Sequence, residues 1–126
     1  MNTPEKAVSI DEYIQAHSRS ITADELRGLR KFDAALEKKR KEAGARGHGD
    51  LAQGITELAA VLHSGTVSDA SDPLPRDLAE TGAALRYVLK GVDIIPDSVP
   101  GLGLTDDEWI VSRVLKRNPS LRQQAH

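Results

Sequence analysis

The sequence predicts an all-α fold, a small bundle of four to five helices in a single domain. The chain has 126 residues with one Trp, one Phe and two Tyr, so its core must be built from Leu, Ile, Val and Ala. A core of this composition favours helices over sheets, which draw on aromatic and β-branched residues. Apolar residues also recur at helical spacing, in segments that Gly and Pro separate.

The first part of the chain predicts two helices from their capping residues. Residues 9–17 form the first helix, with Ser9 as its N-cap. Residues 22–43 form the second, in which Thr22 and Glu25 make a capping box. The apolar positions of this second helix are Leu26, Leu29, Phe32 and Leu36.

Three further helices are predicted beyond the Gly-rich joint at residues 44–49. They cover residues 51–63, 75–90 and 105–117. Asp50 caps the first of them, Gly91 ends the second and Thr105 caps the third. The first two are joined by a loop at residues 66–75, where Ser, Asp and Pro favour turns.

The domain organisation follows from these elements. We expect residues 1–20 to be a partly mobile segment, residues 21–118 to be the helical domain and residues 119–126 to be a frayed tail. The chain has no cysteine, which excludes a disulfide framework, a thiolate metal site and a Cys nucleophile. It has no apolar run typical of a signal peptide or an ordinary transmembrane helix, and we expect a cytoplasmic protein.

Charge is distributed unevenly along the chain. The net charge is −2, yet residues 50–109 hold three Lys/Arg and eleven Asp/Glu, and residues 110–126 hold four Lys/Arg and no acid. The acidic middle would repel phosphates, so no nucleic-acid groove is expected there. Glutamates flank the basic run Lys38–Lys41, which favours a solvated helix face over a nucleic-acid or membrane contact.

Histidine and serine patterns do not favour zinc binding or a catalytic triad. The four histidines are scattered without an i, i+4 pair, and Ser98 has no histidine nearby. We expect His48 to lie in a solvated joint. Trp109 is expected in the core, whereas a half-exposed Trp would serve as an anchor for a partner.

The most distinctive feature is a run of Asp, Pro and Gly between the last two predicted helices. It lies within the stretch LRYVLKGVDIIPDSVPGLGLTDDEWIV, which begins at Leu85. Its prolines prevent a continuous helix through the run and predict a corner. The candidate functional residues are Asp93, Asp97, Asp106 and Asp107, and the candidate structural residues are Pro96, Pro100, Gly103 and Thr105.

This stretch resembles the YkvA-like family, known as domain of unknown function 1232, over about residues 85–115. The family pattern is Asp-φ-Ile-Pro-Asp-φ-φ-Pro-φ-φ-Gly-φ-φ-Asp-Asp, where φ is an apolar residue. The matching residues are Asp93, Ile95, Pro96, Asp97, Pro100, Gly103, Asp106 and Asp107. Ser98 departs from the pattern, as do Gly91-Val92 and Leu104-Thr105, and all three changes make the corner less apolar. The resemblance implies no established reaction, cofactor or substrate.

Two interpretations of the four aspartates stay open. In one, they gather to bind a hard cation such as Mg²⁺ or Ca²⁺ in a site that could support hydrolysis. In the other, which we favour, they are structural. Asp106 and Asp107 then lie in the first turn of a helix capped by Thr105, where the helix dipole favours acids. Asp93 caps a short turn, and Asp97 forms an Asx-turn.

The sequence therefore favours a non-enzymatic interaction or accessory module that binds a protein, because no nucleophile–base pairing is evident. One alternative is a divalent-metal site on the four aspartates. The other is peripheral membrane association through Val92–Leu104, helped by the basic ends of the chain. The oligomeric state stays open.

Overall fold

The computed structural model describes the backbone of residues 3–94 and 102–121, and the side chains of residues 10–89 and 107–121. Within these ranges every regular element is a helix, which confirms the predicted all-α bundle. The elements are α1 (Thr3–Ser18), α2 (Ala23–Gly28), a 3₁₀ turn (Leu29–Phe32), α3 (Asp33–Ala45), α4 (Gly49–Leu62), α5 (Gly65–Ser68), α6 (Arg76–Ile94) and α7 (Leu102–Arg117).

The core is aliphatic and lies where α4, α6 and α7 meet. α4 also packs against α3, and α6 also packs against α1. In all three central helices, buried apolar residues recur at helical spacing. They are Leu51, Ile55, Leu58 and Leu62 of α4, Leu78, Leu85 and Leu89 of α6, and Ile110, Val111, Val114 and Leu115 of α7.

The capping box predicted at the start of α2 is confirmed. Thr22 Oγ1 accepts a hydrogen bond from Glu25 N at 3.1 Å, and Glu25 Oε1 accepts one from Thr22 N at 3.2 Å. The single helix predicted over residues 22–43 is wrong, because the 3₁₀ turn interrupts it. α2 and α3 are therefore two separate helices, one on each side of the turn.

The 3₁₀ turn is held by a contact that the periodicity does not reveal. Within it, Arg30 Nε donates a hydrogen bond to Leu62 O at the end of α4, at 2.8 Å. The next segment also differs from the prediction, since the loop expected at residues 66–75 includes part of α5. Ser64 caps this short helix by accepting a hydrogen bond from Val67 N. Arg30 thus gives the carbonyl of Leu62 a hydrogen-bond partner, which a carbonyl at the end of a helix otherwise lacks.

Several predicted helix ends are wrong because packing outweighs the local signals. α1 begins at Thr3, so Ser9 lies within it rather than at its N-cap. α4 begins at Gly49, so Asp50 lies in its first turn and does not cap it. α6 passes through Gly91, since one glycine costs a helix only about 1 kcal/mol and the long buried face of α6 outweighs that.

The two ends of the described chain pack against the bundle. Ile14 in α1 and Leu121 beyond α7 are both fully buried. The mobility predicted for residues 1–20 and 119–126 stays a prediction, but part of each segment belongs to the core.

α4 and α7 approach each other closely at Gly54. A Cβ atom at this position would overlap Val111 Cγ1 and lie 3.4 Å from Leu115 Cδ1. Gly44 in α3 is different, because a Cβ there would have no other atom within 4 Å. The absence of a side chain at Gly54 therefore permits the helix crossing.

We expect Gly54→Ala to lower the melting temperature, because the added methyl group overpacks the contact between α4 and α7 at a cost of about 1–3 kcal/mol. Gly44→Ala is the matched control, since it adds the same methyl group to open space on a helix and should stabilise by about 0.5–1 kcal/mol. Thermal unfolding followed by circular dichroism measures both variants. A stabilised Gly54→Ala protein would contradict the close crossing.

Candidate functional site

Of the four candidate aspartates, Asp107 is the one whose side chain the structure describes. It lies in α7 and is only 2% exposed. Its Oδ2 atom is 3.2 Å from Nζ of Lys39, a lysine of α3 that is also buried. A buried carboxylate requires a partner of opposite charge, because solvation by water is lost. This ion pair therefore ties α7 to α3.

The other corner residues lie partly or wholly outside the described residues. Pro96, Asp97 and Pro100 fall between residues 94 and 102, so the predictions made on them lie outside the described chain. For a second group the backbone is described and is helical. This group comprises Asp93 in α6 and Gly103, Thr105 and Asp106 in α7.

The capping roles predicted at the corner are wrong. α7 begins at Leu102, so Thr105 lies inside the helix and does not cap it. Asp93 lies inside α6, so it does not cap a separate turn. The first turn of α7 contains no acidic residue, so Asp107 does not act there on the helix dipole. Its role depends instead on a long-range pair with Lys39.

Glu108 attaches α7 to the joint that precedes α4. Its Oε1 atom lies 2.7 Å from Nδ1 of His48, the N-cap residue of α4, and both side chains are partly buried. The prediction that His48 lies in a solvated joint is wrong, because its ring turns towards α7 instead. Two successive acids thus connect α7 to two different points of the chain.

The sequence predicted that the basic run Lys38–Lys41 forms one solvated helix face. This prediction is wrong. Lys39 turns inward to Asp107, and Arg40 pairs with Glu37 one turn earlier in α3. The first and last lysines of the run are exposed. The run is divided because successive helical residues point in directions about 100° apart.

A second buried acid, Glu80 of α6, was missed in the sequence. It is 1% exposed and accepts two parallel hydrogen bonds from Arg117, Nε to Oε1 and Nη2 to Oε2, both at 3.0 Å. Asn118 Nδ2 donates a third, to Oε1 at 2.8 Å. The hydrogen bonds that Arg117 donates to Glu80 raise the pKa of the Arg117 guanidinium above its ordinary value. Glu80 is the one charged residue of residues 78–85, and a helical stretch that is otherwise uncharged all round is typically buried.

The charged network continues into α1. Asp11 Oδ1 lies 3.4 Å from Arg113 Nε and 3.8 Å from Arg117 Nη1. Two residues further along α1, the ring of Tyr13 packs edge-on against Tyr87 of α6, with centroids 5.2 Å apart. α1, α6 and α7 are therefore joined by charge as well as by apolar packing.

Glu80, Asp107 and Glu108 all belong to one stretch of sequence. Residues 77–112 match the model of the family described as Protein of unknown function (DUF1232). The match confirms the resemblance and covers less than a third of the chain. We call residues 77–112 the DUF1232 segment. No curated protein and no solved structure matches the chain.

A cleft of about 400 Å³ lies outside the DUF1232 segment, between α3 and α4. Its apolar lining includes Leu36, Ile55, Ala59 and Ala60. On its rim, Asp33 Oδ1 lies 2.8 Å from His63 Nε2, and Glu37 pairs with Arg40. Each acid of the rim therefore already faces a base, which disfavours the cleft as a cation site.

Trp109 of the DUF1232 segment is 42% exposed, so its predicted place in the core is wrong. The reason is its position on α7, whose buried face carries Ile110, Val111 and Val114. At about 100° per residue, Trp109 lies on the opposite side of the helix. Its use as an anchor for a partner stays a prediction.

The described residues show ion pairs rather than a cluster of open ligands. Within residues whose side chains are described, no three His, Asp or Glu groups are placed to hold a metal ion. The guanidinium of Arg117 keeps its proton at any physiological pH, so its pair with Glu80 does not transfer protons. None of the described helices combines the length and the apolar character needed to cross a membrane.

We expect Glu80→Ala to lower the free energy of unfolding by about 3 kcal/mol, because Arg117 would lose its buried partner. Glu12→Ala in α1 is the control, since it removes an exposed glutamate and should change stability by less than about 0.5 kcal/mol. Urea unfolding followed by circular dichroism measures both values. Equal effects of the two substitutions would contradict the buried ion pair.

Proposed function

We propose that the protein is a non-enzymatic helical interaction module, in which the DUF1232 segment holds the bundle together. One observation carries the proposal. Each acid of the segment whose side chain is described bonds to a residue outside the segment. The pairs are Asp77 with Ser120, Glu80 with Arg117, Asp107 with Lys39, and Glu108 with His48. These acids connect elements of the bundle to one another.

This arrangement supports a scaffold better than a hydrolytic metal site. Hard cations bind where several carboxylate oxygens converge. Asp107 instead faces the ammonium group of Lys39 at 3.2 Å, and that positive charge opposes a second cation at the same oxygen. We therefore propose that Asp107 serves packing and not metal binding.

The partner of the module is proposed to be a protein. α3 and α7 both present exposed side chains on the side opposite their buried faces, and these surfaces remain open for contact. The absence of cysteine fits a module that works in the reducing cytoplasm.

We expect Asp107→Asn to lower the melting temperature by several degrees, since it leaves Lys39 as an unpaired buried charge at a cost of about 3 kcal/mol. The double variant Lys39→Met/Asp107→Leu should recover most of that loss, because a buried pair replaced by apolar groups is often neutral. Differential scanning calorimetry measures both variants. An Asp107→Asn protein as stable as the wild type would contradict the scaffold role.

We also expect Mg²⁺, Mn²⁺ and Ca²⁺ at millimolar concentration to produce no binding heat in calorimetric titration of the full chain. The same ions should leave the melting temperature unchanged, because a ligand stabilises a fold only if it binds the folded state. A cation that binds the wild type and not the Asp107→Asn variant would overturn the proposal in favour of a metal site.

A further inference from the structure

α1 lies outside the DUF1232 segment and packs on helices that the segment contributes. The main contacts of α1 within the described chain are with α6 and α7, which also pack against each other. The segment supplies most of α6 and the first part of α7. We call the surface of α6 and α7 that α1 covers, which includes Tyr87, Arg113 and Arg117, the α1 groove.

α1 is fastened in the α1 groove by apolar and by charged side chains. Ile14 is fully buried in the core, and the ring of Tyr13 packs against α6. On the other side of the groove, Asp11 faces Arg113 and Arg117 of α7. Among the described side chains, Asp11 is the one ion-pair partner of Arg113. The groove therefore already holds a helix through an apolar anchor and an acid, which is how grooves of this kind bind helical segments.

The polar contact between α1 and the α1 groove is incomplete. Asp11 Oδ1 is buried and lies 3.4 Å from Arg113 Nε and 3.8 Å from Arg117 Nη1, yet within the described chain it accepts no hydrogen bond. A buried acceptor without a hydrogen bond costs about 1–3 kcal/mol. Arg117 and Glu80, in contrast, share two aligned hydrogen bonds of 3.0 Å. The charged network therefore holds α1 less completely than it holds α6 and α7 together.

The connection after α1 permits its release from the bundle. Residues 18–20 follow the buried part of α1, and their side chains are exposed or partly exposed. Ile21, the next residue, is buried beside Gly82 of α6, where a Cβ atom would lie 2.8 Å from Ile21 Cγ2. The chain is thus fixed to α6 just beyond α1, so α1 can leave the groove while the remaining helices keep their places.

We propose that the α1 groove is the partner-binding surface of the module, and that α1 occupies it as an internal, displaceable ligand. The partner is a protein helix with two apolar residues four positions apart and an acid directly after the first, as in Ile10, Asp11 and Ile14 of α1. A partner whose acid also hydrogen-bonds to Arg113 gains the interaction that Asp11 lacks. This inference rests on the proposed function, because it names the surface and the partner class of the interaction module.

α1 competes with any such partner because it is tethered beside the groove. A tether of this kind gives an effective concentration in the millimolar range. The fraction of molecules with an open groove therefore sets the apparent affinity for the partner. Weakening α1 must strengthen partner binding, whereas a purely structural α1 would give a less stable protein with no gain in binding.

Peptide binding to the full-length protein tests this competition. The probe is a fluorescein-labelled synthetic peptide with the sequence of α1, Thr3–Ser18, and fluorescence anisotropy measures its dissociation constant. We expect Asp11→Lys in the protein to lower this constant at least about tenfold, because a lysine facing Arg113 and Arg117 is repelled and opens the groove. Unchanged or weaker binding, or no binding by either protein, would overturn the proposed groove.

Glu12→Lys is the matched control. It makes the same charge reversal one residue further along α1, at an exposed side chain. We expect this variant to bind the peptide like the wild type. An equal gain of affinity in the two variants would reveal a general effect of charge and would count against the groove.

A second peptide tests the apolar anchor. In it, Ile14→Ala removes the side chain that the core of the bundle encloses. We expect this peptide to bind the Asp11→Lys protein at least about tenfold more weakly than the peptide with the α1 sequence, because a buried Ile truncated to Ala loses more than 1.4 kcal/mol. Equal binding of the two peptides would contradict a specific helix site.

Hydrogen exchange tests the release of α1 in the wild type, without any substitution. The amides of residues 10–14 should exchange at least about tenfold faster than the buried amides of α4, because they open locally and not only by global unfolding. Equal protection of the two helices would show that α1 is not displaceable.

Static light scattering distinguishes a partner helix from a second copy of this chain. We expect a monomeric wild type, because its own α1 fills the groove. A dimer that the α1 peptide dissociates would assign the groove to α1 of a second copy and overturn the proposed partner class. Failure of the α1 groove is distinguishable from failure of the scaffold role, since the latter is measured by the stability of Asp107→Asn and by metal titration.

Discussion

The buried carboxylate of Glu80 is the constraint on which the arrangement of α1, α6 and α7 depends. At 1% exposure it has lost its solvation by water, and it is retained as part of a bidentate pair with Arg117. That pair fixes the end of α7 against the first turns of α6. Arg117 also approaches Asp11, which brings α1 onto the same two helices.

The same physical rule operates in the first half of α7. Asp107 is buried and therefore requires a cation, which Lys39 supplies from α3. One pair involves Asp107 in the first half of α7 and the other involves Arg117, its last residue, so both halves of the helix are attached to neighbouring helices. The apolar face between them then packs against α4, where Gly54 allows a close approach. Apolar burial supplies most of the driving force, and the ion pairs specify which helix faces which.

The Lys39–Asp107 pair links the DUF1232 segment to α3. A run of four basic residues would be a diffuse positive patch if all four side chains were solvated. The structure directs Lys39 into the core and Arg40 to Glu37, and two lysines of the run remain exposed. Asp107 thus determines which side chain of the basic run lies in the core.

The sequence by itself determined the fold class and the apolar faces. Leu51, Ile55 and Leu58 recur at helical spacing, and a helix that carries such a stripe must bury it. The capping box of Thr22 was also predictable, since both of its partners lie within one turn. The resemblance to DUF1232 could likewise be recognised, because it depends on residue order alone.

Only the tertiary structure decided the roles of the charged residues. The partners of Asp107, Glu108 and Glu80 lie about forty to seventy positions away in sequence, beyond the reach of any local pattern. Local reasoning therefore assigned Asp107 to a helix cap region and His48 to solvent, and it missed Glu80. A capping or dipole effect contributes about 1 kcal/mol, whereas burial of an unpaired charge costs several times more, so the long-range pairs determine where these side chains lie.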